Sequence, residues 1–76
     1  MITKKLIRSI DELQEIQFHA TRTKEEVAIM SEDGNLSIDA KSFIGLFGLD
    51  FSRPVQIVSE DEKFHKKIED VGKTLE

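Results

Sequence analysis

Apolar positions along the chain follow two rhythms, one of strands and one of helices. Ile2–Arg8 (ITKKLIR) is a strand-like mixture running into turn and cap residues, which predicts a first strand. In RSIDELQEIQFHATR, Ile10, Leu13, Ile16 and Ala20 recur three or four residues apart. That spacing predicts an amphipathic helix over Ile10–Thr21. Ser9 followed three positions later by Glu12 forms a capping-box pattern, and Asp11 suits the positive end of the helix dipole. Glu26–Ser31 (EVAIMS) is a compact β-prone run. EDGN then reads as a hairpin turn with Gly34 at positive φ, and Leu36–Ile38 as the returning strand.

Asp39 is positioned to cap a short helix running to about Gly48, its length limited by Gly45 and Gly48. Ser52–Ser59 (SRPVQIVS) reads as a strand that tolerates Pro54 near its start. Ser59 and Glu62 repeat the capping pattern. Phe64, Ile68, Val71 and Leu75 then follow at i, i+4, i+7 and i+11 and predict a last helix, with Gly72 loosening its final turn. The order is βαββαβα. Strands interleaved with helices, one sheet face covered and one free, describe an α+β open-faced sandwich.

The length of 76 residues fits one domain, 1–76, because a second core would have too little to bury. A net charge of −4 argues against nucleic acid and anionic membrane surfaces as partners. The absence of cysteine excludes disulfides, thiolate metal sites and thiol nucleophiles, in keeping with a reducing cytoplasm. No apolar run suggests export or membrane insertion, so a cytoplasmic protein is expected. The sequence offers no nucleophile–base–orienter set and no phosphate-cradling glycine loop, which predicts neither an enzyme nor a cofactor. Asp61, His65 and Glu69 share a face of the last helix. One histidine with two surface acids reads as a solvated face, so no metal site is predicted.

The segment Asp39–Leu49 (DAKSFIGLFGL) is crowded with large apolar residues. Wound as a helix, Phe43, Ile44 and Phe47 span one flank, while Leu46 and Leu49 fall on the other. An apolar arc wider than a core-facing stripe leaves one flank accessible, a potential partner-binding surface. The same segment resembles the NAKSIMGVMSL-like stretch of the HPr family, the phosphocarriers of the bacterial phosphoenolpyruvate:sugar phosphotransferase system. Both read Ala-Lys-Ser, two apolar residues, glycine, two apolar residues, a small residue and leucine. The element order and the PVQIVSEDE run match as well, so the resemblance extends from about Glu26 to Val71. It implies an HPr-like sandwich with a four-stranded antiparallel sheet and its helices on one face.

One departure changes the functional expectation. Members of that family carry the phosphoryl group on a histidine in a Gly-Leu-His-Ala-Arg-Pro loop before the first helix. Here the junction is LIRSIDEL, with neither that histidine nor the proline. FHATR (Phe18–Arg22) echoes the motif, but His19 falls at the end of the predicted helix, where the dipole disfavours a phosphate. His19 is therefore only a weak phospho-acceptor candidate. By resemblance, Ser42 matches a serine phosphorylated for regulation. Phe43, Ile44 and Phe47 match an apolar patch that docks pathway enzymes and a transcriptional regulator. With Asp39 as cap, Ser42 would lie in a first turn, where free N–H groups favour a phosphate, Lys41 assists and Asp39 opposes. The resemblance thus implies a regulatory, protein-binding member, whose partners are phosphotransferase-system proteins, a serine kinase or a transcriptional regulator. A divergent carrier using another residue such as His19, or an HPr-fold interaction module unrelated to sugar uptake, are the alternatives.

Overall fold

The computed structural model describes residues 1–75, leaving out the side chain of Phe43. Its elements are β1 (Ile2–Leu6), α1 (Ile10–Thr21), β2 (Val27–Met30), β3 (Ser37–Asp39), α2 (Phe43–Leu46), β4 (Val55–Ser59), α3 (Glu62–Lys67) and β5 (Lys73–Leu75). All strand pairs are antiparallel, in the order β3-β2-β4-β1-β5. The α+β class and the free sheet face expected from the sequence are present, but the sheet has five strands rather than four.

The fifth strand replaces the end of the predicted last helix. Phe64, Ile68 and Val71 are buried as that periodicity requires. The helix nevertheless stops after Lys67, and Gly72 adopts φ 70°, a left-handed conformation that turns the chain back along β1. Leu75 consequently pairs with Lys4 in the sheet instead of extending the helix. The start also differs from the expected capping box. Asp61 is the N-cap, accepting from the backbone N–H groups of Lys63 and Phe64, while Ser59 Oγ receives the N–H of Asp61.

Helix α1 has the predicted bounds, and the hydroxyl of Ser9 accepts from the N–H of Glu12. Glu12 does not return the bond to Ser9. Its carboxylate takes the N–H of Arg8 at 2.7 Å and the Arg8 guanidinium at 2.8 Å. These bonds hold the Glu12 carboxyl below its ordinary pKa, the guanidinium contributing most.

One core joins the layers. Leu13, Ile16 and Ala20 of α1, Leu46 of α2, and Phe64 with the following Ile68 meet Val27, Ile29, Val55 and Ile57 of the sheet. Strand alternation sends Ala28, Met30, Gln56 and Val58 to the opposite face, over which no other described element lies. No described helix is long and apolar enough to cross a membrane.

Candidate interaction surface

Segment 39–51 folds differently from the predicted Asp39-capped helix. Asp39 ends β3 and makes a local turn, its carboxylate accepting from the Lys41 N–H at 2.9 Å. Ser42 is the N-cap of a single helical turn, and its side chain makes no capping hydrogen bond. It therefore precedes the first turn instead of lying within it. One turn also carries far less dipole than a full helix. Lys41 is held away from a free role, donating to the Thr23 carbonyl at 2.9 Å, while Gln17 donates to the Lys41 carbonyl. These two bonds tie the start of α2 to α1.

The close fit of α2 against β3 depends on Gly45. A Cβ there would stand 3.0 Å from Ile38 Cγ2 and 3.2 Å from Ser42 Oγ. With the turn seated this way, Leu46 and Leu49 enter the core, while Ile44 is 86% and Phe47 55% exposed. The third member of the predicted patch, Phe43, opens the helix, but its side chain lies outside the described residues.

Ile10 joins this surface. Its spacing with Leu13 and Ile16 suggested a core position, yet it is half exposed. The core contacts of α1 centre on Leu13, Ile16 and Ala20, and Ile10 falls to the flank of that arc, where it borders the same cleft as Phe47. Together Ile7, Arg8, Ser9, Ile10, Phe47 and Phe51 border a cleft of about 250 Å³ at the N-terminus of α1. Arg8 and Ser9 come from the junction that carries no histidine.

His19 sits in the last turn of α1, about 15 Å along the axis from Ser9 at 1.5 Å per residue. Its carbonyl accepts from the Arg22 N–H and the Thr23 hydroxyl, and its ring meets Phe18 edge-on. The structure does not bring it to the cleft.

His65 corrects a further expectation. Rather than belonging to a solvated row, it is buried against the sheet, while Asp61 is occupied as a cap. Thr3 Oγ1 lies 2.6 Å from Nδ1, and Nε2 lies 2.9 Å from the Ser59 carbonyl. Because a carbonyl only accepts, Nε2 carries a proton and points it at Ser59. Among the described residues, no cluster of three or more potential metal ligands occurs.

Lys5 is a further buried polar residue. It pairs with Val55 and Thr74 and so shares their face, donating to the Glu69 carbonyl at 3.2 Å and to Thr74 Oγ1 at 2.7 Å. Burial lowers its pKa below 10.5, against the opposing pull of Asp70, Glu12 and Glu69. Neither Thr3–His65 nor Lys5–Thr74 was readable as a pair. Their members stand 62 and 69 residues apart; the packing of α3 on the sheet brings the first pair together, and the β1–β5 register the second. Comparison with protein-family models, curated proteins and solved structures finds no match to this chain.

Proposed function

We infer that this chain is an HPr-like protein that acts by binding partners of the sugar phosphotransferase system rather than by carrying a phosphoryl group. The observation behind this reading is the exposure of Ile44 and Phe47 on one short segment, with Phe47 and the half-exposed Ile10 also bordering the α1 cleft. Ile44 and Phe47 lie on the segment that resembles the family's docking patch, and Ile10 lies outside it. Large apolar side chains clustered in the open are typical of interaction sites, and aromatic residues make effective anchors.

The same neighbourhood argues against a carrier role. The residues before α1 offer no histidine, the Ser9 hydroxyl is engaged as a cap, and Arg8 is bound to Glu12. A phosphate ester of serine is also far less ready to pass on its phosphoryl group than a phosphohistidine. Ser42 is exposed with an uncapped hydroxyl, which leaves it open to a kinase. The cytoplasm is the compartment this role requires.

Two labelling reactions test the reading. The protein is incubated with the phosphotransferase system's first enzyme and phosphoenolpyruvate, and separately with the serine kinase and ATP; phosphate is then located by mass spectrometry. Acid-stable phosphate on Ser42 alone supports a regulator, and acid-labile phosphate on His19 overturns it. In parallel, Ile44→Asp should abolish binding to phosphotransferase-system proteins while leaving the fold intact. Unchanged binding would remove the patch from the proposal.

A further inference from the structure

We propose that Thr3 is a hydroxyl nucleophile activated by His65, able to accept an acyl group from a small activated carboxylic ester. The geometry has the three parts that nucleophilic catalysis requires: a hydroxyl, a base in hydrogen-bond contact, and a group that orients the base. Thr3 Oγ1 stands 2.6 Å from His65 Nδ1, while the Ser59 carbonyl holds the proton on Nε2 at 2.9 Å. With Nε2 protonated, Nδ1 of the neutral ring has its lone pair directed at the threonine hydroxyl. The ring is 8% exposed, and packing against Phe64 further fixes its plane.

The dyad opens onto space for a substrate. Thr3, Glu62, His65, Lys66, Glu69 and Thr74 border a cleft of about 430 Å³, separate from the apolar cleft beside Phe47. In the proposed step, Thr3 Oγ1 attacks the ester carbonyl carbon and its proton passes to His65 Nδ1. The bond from that carbon to the leaving oxygen then breaks, and the leaving oxygen takes the proton from Nδ1. The products are an acyl ester on Thr3 and a free alcohol, with no change in oxidation state. Lys66, on the cleft wall, supplies a cation toward the charge that develops on the carbonyl oxygen.

The test uses p-nitrophenyl acetate with the intact chain. Release of p-nitrophenolate is followed by absorbance, and the acetylated residue is identified by peptide mass spectrometry. Hydroxylamine then separates a threonine ester, which it cleaves, from lysine and N-terminal amides, which it leaves intact. We expect a hydroxylamine-labile acetyl group on Thr3, formed on the order of a hundredfold more slowly in His65→Gln. The glutamine amide retains a donor for the Ser59 carbonyl but removes the base. Thr3→Ser should keep the reaction and Thr3→Val should lose it, with far-UV circular dichroism checking the fold of each. If Thr3→Val does not fold, the mapped Thr3 rate in wild type against His65→Gln decides. Acetylation confined to amines, or Thr3 acetylated equally fast in His65→Gln, overturns the proposal.

Discussion

Replacing Lys5 with methionine should stabilise the protein, although it removes two hydrogen bonds. The Lys5 side chain is fully buried, and its ammonium touches a carbonyl and a hydroxyl but forms no ion pair among the described residues. Burial of a cation without a contacting carboxylate is expensive, and apolar replacement of buried charged groups is often neutral or stabilising by about 1–4 kcal/mol. That range is already net of the hydrogen bonds lost with the charge, here two from the ammonium at about 1.5–3 kcal/mol each. The loss is softened because the Glu69 carbonyl keeps the Thr74 hydroxyl as a donor at 3.2 Å. A net gain on the order of 1 kcal/mol follows, which in a domain of this size raises Tm by about 4–8 °C.

The pH dependence gives a sharper check. The folded pKa of Lys5 is below its ordinary 10.5, so between the two values the unfolded chain holds more protons than the folded one. Stability from this residue therefore rises with pH through that window, and the full penalty is present below the folded pKa. The chain has no tyrosine or cysteine, and comparison with Lys5→Met separates the contribution of Lys5 from that of the other lysines. Urea unfolding followed by far-UV circular dichroism, at neutral pH and near pH 9.5, measures both effects. A Lys5→Met variant that is less stable than wild type, and that keeps the same alkaline slope, would refute the reasoning.

Ser9→Ala removes the cap of α1 and should cost about 1 kcal/mol, read as a lower urea midpoint with an unchanged slope. Glu12 gives stability that is present above its ordinary pKa of 4.5 and lost as pH falls through the lower folded value; Glu12→Gln should flatten the acid limb of a Tm-against-pH curve. Two alanine substitutions on one helical turn should separate core from surface. Leu46→Ala empties a fully buried site and should cost about 2–5 kcal/mol, whereas Ile44→Ala should stay within about 0.5 kcal/mol in equilibrium unfolding.

Local chemistry made several elements legible. The Ser9 cap and the Leu13, Ile16 and Ala20 stripe define α1 without reference to any distant residue, and Gly34, at φ 78°, marks the hairpin turn. Where two local signals competed, the reading failed. The stripe through Phe64, Ile68 and Val71 suggested a helix to Leu75, but pairing of residues 73–75 with β1 took the end of that segment. Ile10 kept helical spacing yet landed on the flank of the buried arc, because the period fixes an angle and not what packs there. The width of the apolar arc made one exposed flank foreseeable, and the resemblance pointed to the flank of Ile44 and Phe47. The buried His65 and Lys5 were not, since each depends on a partner at the far end of the chain.

The two ends of the apolar surface differ in what chemistry they leave open. At the start of α1, Ser9 takes one backbone donor, Glu12 takes another, and the carboxylates of Asp11 and Glu12 occupy the first turn. An incoming phosphate would meet negative charge and donors already in use, which disfavours anion binding there. At Ser42 the hydroxyl makes no cap, but the single turn behind it supplies little dipole and Lys41 is committed to Thr23. A phosphate on Ser42 that recruited Lys41 would draw it from that carbonyl, loosening the link between α2 and α1. Because Ile10 lies on α1 and Ile44 on α2, modification there would change the spacing of the two apolar groups, the route by which it would alter the proposed partner binding.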